Sequence, residues 1–192
     1  GKKKALASVL AGLAMVAAAG TMGTSVQANV DLGNSSVNIS PNGAYNGSNT
    51  VGSNSIVVGY QNTTNNNWGT VAIGAANTAT ENSAVAIGNG NTASGGAAAA
   101  FGAYNQAKGR ASVAIGNVSM ASGEDSIAIG NRANSNAANQ DLGSGQYSIA
   151  MGRESWAKGS DNISIGHNAK TDSTGDSIAI GRDSTSNSVN TV

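Results

Sequence analysis

The chain has 192 residues, with ten Lys/Arg against ten Asp/Glu, one His and no cysteine. Disulfides are therefore excluded as a source of stability, and aromatic residues at 4% of the chain argue for a thin core. The scattered basic residues form no patch in sequence, which speaks against a nucleic-acid role.

Lys2-Lys3-Lys4 precede an apolar run from Ala5 to Ala19 and a small, polar stretch ending Val26-Gln27-Ala28. This is the pattern of a secretory signal peptide over residues 1–28. The apolar run is shorter than the ~20 residues that a membrane-crossing helix requires. Cleavage after Ala28 removes three of the ten basic residues and leaves the mature chain mildly acidic. Residues 29–53, rich in Asn, Gly and Ser and holding the single proline, Pro41, read as a leader and N-terminal cap. Within them Val37-Asn38-Ile39 alternates, and Thr50 and Gly52 sit where a preceding half-unit would place its small residue and turn glycine.

From residue 54 onward the chain is a repeat array. A pentad typified by Ser112-Val113-Ala114-Ile115-Gly116 occurs nine times between Ser55 and Gly181, with closing glycines 15, 14, 14, 14, 14, 22, 14 and 15 residues apart. Alternation inside the pentad is strand periodicity: Val113 and Ile115 share one face, Ser112 and Ala114 the other. The same holds for Ile127, Ile129 and Gly130, and for Ile178, Ile180 and Gly181. Five residues past each closing glycine stands another small residue, as at Ala79, Ala93 and Ala107, and seven past it a glycine recurs at 95, 109, 123 and 159. Two strands and two turns per unit give an all-β, parallel β-solenoid of about fourteen residues per coil, too short for a helix pair or a propeller blade. The one long spacing marks an insertion near 134–145, expected to bulge from a turn without breaking the stack. The final stretch from Ser184 to Val192 holds no further pentad, which suits a fragment of a longer protein better than a complete one.

Valine and isoleucine of the pentads are expected to form the core of this roll. Two medium apolar side chains per coil supply little area at ~25 cal/mol per Å2, against an ordering cost of roughly 1–2 kcal/mol per residue. Self-association is therefore expected, with the Ala/Ser face packed on neighbouring chains.

The pentad and its flanks, as in Ala111-Ser112-Val113-Ala114-Ile115-Gly116-Asn117-Val118-Ser119, resemble the head repeat of YadA-type trimeric autotransporter adhesins, whose motif runs Asn-Ser-Val-Ala-Ile-Gly-x-x-Ser. The likeness spans about Asn54 to Ser184; Asn62 stands where Asn54–Asn62 should end in Ser, and other close units lack the leading Asn. The resemblance implies a left-handed parallel β-roll assembled as a homotrimer at the outer membrane surface of a Gram-negative-type bacterium. It also implies attachment to host matrix, such as collagen, or to cells. Membrane anchoring would come from a C-terminal region outside this sequence.

An adhesin head would bind a repetitive ligand through turn residues stacked coil on coil, and Arg110, Arg132, Arg153, Trp156, Lys158 and Arg182 are the candidates, with Trp68 and Tyr104 as further aromatic anchors. The alternative is a structural spacer or surface-layer repeat without a ligand. His167 has no paired acid, cysteine nucleophile or metal-ligand spacing around it, so no catalytic, cofactor or metal site is expected. The nine-residue Gly-Gly-x-Gly-x-Asp period of calcium-binding rolls is absent, and the threonines at 63, 78 and 92 do not continue into the long row that ice binding needs.

Overall fold

Each pentad becomes a strand because its alternation and β-branched residues suit a pleated, half-buried surface. The computed structural model of the protein describes residues 26–31, 36–41, 49–65, 68–135, 145–172 and 175–187. After β1 (Val26–Asp31) and β2 (Ser36–Pro41), the pentad strands are β3 (Ile56–Tyr60), β5 (Val71–Ala75), β7 (Val85–Asn89), β9 (Ala99–Ala103), β11 (Val113–Asn117), β13 (Ile127–Asn131), β15 (Ile149–Met151), β17 (Ile163–Ile165) and β19 (Ile178–Ile180). Between them lie two-residue strands: β4 (Thr63–Thr64), β6 (Thr78–Ala79), β8 (Thr92–Ala93), β10 (Gln106–Ala107), β12 (Met120–Ala121), β14 (Asn134–Ser135), β16 (Trp156–Ala157), β18 (Lys170–Thr171) and β20 (Thr185–Ser186).

The pentad strands stack in order in one sheet, and the short strands stack in a second. Equivalent positions pair in register, Val113 with Ile127 and Gly116 with Gly130, so each coil repeats the last one strand further along. The protein is a parallel β-solenoid. At the N-terminal end β2 pairs in parallel with β3, and β1 adds antiparallel to β2, which closes the stack with a hairpin. Residues 1–25 of the expected signal peptide lie outside the described residues, and Val26–Ala28 belong to β1. Thr50 bridges to Thr63 and accepts a hydrogen bond from the Thr64 amide at 2.8 Å, a half-coil ahead of Ser55. At the insertion, β13 pairs directly with β15 across the 22-residue spacing. Residues 136–144, the middle of that insertion, lie outside the described set.

The roll is the reverse of the expected one inside and out. Ser112 and Ala114 are fully buried, as are Ala72, Ala86, Ala100 and Ala128 at the same third position of the pentad. Val113, Ile115, Ile127 and Ile129 lie on the outer face and are only half-buried, while Ile180 is 65% exposed. The cause is width. A coil with two short strands brings its sheets so close that alanine and serine fill most of the space between them, with Thr64, Thr171 and, in the first coil, Val57 as larger members, and the second strand contributes Ala79, Ala93, Ala107 and Ala121 to the same interior. Close packing then comes from small residues, and the branched aliphatics are forced outward.

Buried asparagines seal the first turn of the early coils. Asn62, Asn77, Asn91 and Asn105, each three residues past a closing glycine, are fully buried. Asn91 Nδ2 donates to Asn77 Oδ1 at 3.0 Å, to the Ile87 carbonyl at 3.0 Å and to the Gly102 carbonyl at 2.8 Å. Its own Oδ1 accepts from the Asn105 amide and from Asn105 Nδ2, both at 3.0 Å. The ladder ends at Ser119, whose amide donates to Asn105 Oδ1 and whose hydroxyl donates to the Gly130 carbonyl at 2.8 Å. Each of these turns is thereby tied to the coils on either side of it.

Candidate functional site

The two turns of each coil stack into two edges that run along the solenoid. On the first edge, which follows the closing glycines, backbone bonds fix the columns. The amides of Arg132, Glu154, Asn168 and Asp183 donate to the carbonyls of Asn117, Asn131, Arg153 and His167 at 2.8–2.9 Å. Arg153, His167 and Arg182 therefore form one column, and Arg132, Glu154, Asn168 and Asp183 its neighbour. On the second edge the amides of Asp125 and Tyr147 donate to the carbonyls of Arg110 and Glu124 at 2.8 Å, which sets Arg110 and Glu124 in one column.

The six ligand candidates divide between these edges. Arg132, Arg153 and Arg182 lie on the first, and Trp156 opens β16 directly after it. Arg110 and Lys158 lie on the second, and both pair with an acid of the following coil. Arg110 meets Glu124, with Asp125 at 4.0 Å, and Lys158 meets Asp172 at 2.6 Å. Exposed pairs of this kind contribute about 0–1 kcal/mol and leave those cations partly neutralised. Of the other aromatic candidates, Trp68 is exposed on the second edge and Tyr104 on the first, three coils ahead of Trp156.

The first edge is charged differently. Glu154 is approached by Arg132 at 3.9 Å, Arg153 at 3.5 Å and His167 at 4.0 Å, so a single carboxylate serves three side chains. Lys170 and Arg182 make no ion pair among the described residues. A shallow, open depression of about 280 Å3 lies here, lined by Arg132, Asn134, Glu154, Ser155, Trp156, Asn168 and Lys170. Strand register builds its floor: Asn134 pairs with Trp156 and Trp156 with Lys170, in one row on the outer face of the second sheet. Trp156 remains 39% exposed. Sequence reasoning named Arg132 and Trp156 but missed Asn134, Glu154, Asn168 and Lys170. The signal was positional, since Asn134, Trp156 and Lys170 all stand four residues past a closing glycine, and Arg132, Glu154 and Asn168 two past.

A second surface of interest is the outer face of the long sheet. Positions two and four of each pentad give two apolar columns, including Val113 with Ile127 and Ile115 with Ile129. Ile56, Met151 and Ile180 are its most exposed members. Contiguous apolar surface on this scale marks an interaction face. Among the described residues no cluster of His, Cys, Asp and Glu is arranged to hold a metal.

The sequence model of the YadA head domain repeat matches residues 69–91, 93–119, 121–139, 144–169 and 163–184, more than half of the chain. Among solved structures, the collagen-binding domain of the Yersinia adhesin YadA is similar at 22% identity and a TM-score of 0.41, over 75% of this chain and 67% of that one. No curated protein matches.

Proposed function

Because this chain belongs to the YadA head-repeat family, we propose that it is the head of an exported, surface-exposed bacterial adhesin that binds an extended, repetitive ligand. The observation that carries the reading is the register of the turns. Side chains of successive coils stack in columns on the first edge, with cations beside an exposed tryptophan. Parallel strands repeat at ~4.8 Å, so nine coils present turn side chains in columns over roughly 40 Å, with the cations in the last four. Many weak contacts along that length add through effective concentration. Collagen is the first matrix ligand to test.

In this reading residues 1–28 direct export and are removed, and the head is displayed at the outer membrane of a Gram-negative-type cell. Three copies associate through the Val/Ile columns of the long sheet. The exposed aliphatic face supports this assembly, because burying it removes from water the side chains that the narrow interior rejects. A spacer role, in which the repeats set only length, draws on the second edge, where Arg110 and Lys158 are paired coil to coil. The readings separate by retention on immobilised collagen. The adhesin reading expects saturable retention that falls in Arg132→Ala/Trp156→Ala protein while the β-sheet circular dichroism is unchanged. No retention on collagen or on any other matrix protein favours the spacer.

A further inference from the structure

We propose that the first edge of the C-terminal coils, centred on Arg132, Trp156 and Lys170, is a binding site for an acidic polysaccharide. The proposal rests on the adhesin reading and narrows its ligand from matrix in general to a sulfated or uronic-acid glycan.

Charge is the first argument. With residues 1–28 removed the chain carries seven bases against ten acids. The coils sort them. Arg132, Arg153, Lys170 and Arg182 lie on or beside the first edge with His167, against Glu154 and Asp183. Glu124, Asp125, Asp161, Asp172 and Asp176 lie on the opposite side, with Lys108, Arg110 and Lys158 as the bases there. The C-terminal coils of a mildly acidic chain thus show a basic first edge and an acidic second edge, because each residue's distance from the closing glycine decides its edge.

Geometry is the second. The basic side chains recur once per coil along the solenoid axis, and a sugar ring is about as long as the ~4.8 Å step between coils. A linear polymer with an acid group on successive sugars meets Arg132, Arg153, Lys170 and Arg182 in turn. Multiple spaced contacts compensate for the screening of each single one, since the Debye length is about 8 Å at physiological salt.

The lining is the third. Trp156 presents a half-exposed indole between Asn134 and Lys170 in one strand-register row, with Asn168 and Ser155 at its side. An aromatic face takes the C–H face of a sugar, the amides bond hydroxyls, and the cations bond the acid groups. Single-stranded nucleic acid calls for successive aromatic platforms, and the neighbours of Trp156 in its row are asparagine and lysine. Collagen-like peptide carries no regular run of acids to answer a net positive edge.

Calorimetric titration of the protein with heparin in 0.15 M NaCl tests this, beside collagen retention on the same preparation. Saturable heparin binding is expected, weakened at least about tenfold in Arg132→Ala/Lys170→Ala protein, the scale of a lost anchor pair. Arg110→Ala/Lys158→Ala protein is expected to change it less than about twofold, because these two cations stand on the acidic edge, paired with Glu124 and Asp172. In Trp68→Phe protein, which keeps Trp156 alone as the indole, heparin is expected to shift the tryptophan emission. Equal losses from the two edges, no emission shift, or binding of single-stranded DNA as tight as heparin would overturn the proposal by showing plain polyanion capture. Collagen retention without heparin binding would sink the glycan site and leave the adhesin reading standing. Heparin binding without collagen retention upholds the site and identifies a glycan as the ligand; absence of both defeats the two together.

Discussion

At Gly116 the backbone has φ of +123°, and a Cβ there would lie 1.9 Å from the carbonyl oxygen of Gly130 in the next coil. Positive φ alone costs an ordinary residue about 1–2 kcal/mol, and the collision adds to that because the obstacle is backbone. Gly116→Ala is therefore expected to abolish cooperative thermal unfolding or lower its midpoint steeply. Gly96→Ala is the control: nothing lies within 4 Å of its added Cβ, so the change stays within about 1 kcal/mol. Asn91 gives a second prediction. Removing its amide in Asn91→Ala takes away one hydrogen bond each from the Asn105 amide and the Ile87 and Gly102 carbonyls, at roughly 1–3 kcal/mol for each buried group left unpaired. Denaturant titration is expected to show a loss of at least about 3 kcal/mol, and a smaller one for Asn91→Ser, since Ser119 bonds the Gly130 carbonyl from the equivalent place. The strand glycines were legible in the sequence from their spacing. The asparagine ladder was not, because a polar residue recurring in a turn reads as solvated until the fold shows the turn closing over it.

For the strand as an element, alternation shows which residues share a face but not which face turns inward. Period, coil length, strand positions and parallel stacking were all legible on that basis. Polarity was not, since Ala114 and Ile115 are both apolar and the choice depends on how far apart the two sheets of one coil stand. The narrow coil decides it for alanine. The consequence is testable within one pentad. Ala114→Val is expected to destabilise the protein by about 1–3 kcal/mol, the cost of overpacking, because Ala114 is fully buried in register between Ala100 and Ala128 of the adjoining coils. Ile115→Ala, on the outer face, is expected to leave the dichroism of the dilute protein unchanged and to weaken self-association instead. Urea unfolding of the two variants separates the outcomes, and a larger loss for Ile115→Ala than for Ala114→Val in dilute protein would restore the opposite polarity.

Among the described residues the solenoid presents three distinct surfaces: an aliphatic sheet, a first edge that is basic in the C-terminal coils around Trp156, and an acidic edge stitched by Arg110–Glu124 and Lys158–Asp172. The candidate site was partly legible. Counting from the closing glycines places Arg132 and Trp156, but Lys158 stands only two residues past Trp156 and still falls toward the other edge, because the short strand β16 carries the chain across the coil. Binding through the basic edge is expected to weaken with salt, as charge steering does. Assembly through the aliphatic sheet is expected to persist, because apolar burial is not screened. In the proposed trimer the side chains excluded from the narrow interior form the contact between three copies of the chain. Light scattering on the protein and on its Ile115→Lys/Ile129→Lys variant tests it most directly. The account predicts three times the mass of one chain for the unaltered protein and a shift to a single chain in the variant, with the β-sheet dichroism retained. A single-chain mass for the unaltered protein, or a trimer indifferent to two buried lysines, would contradict it.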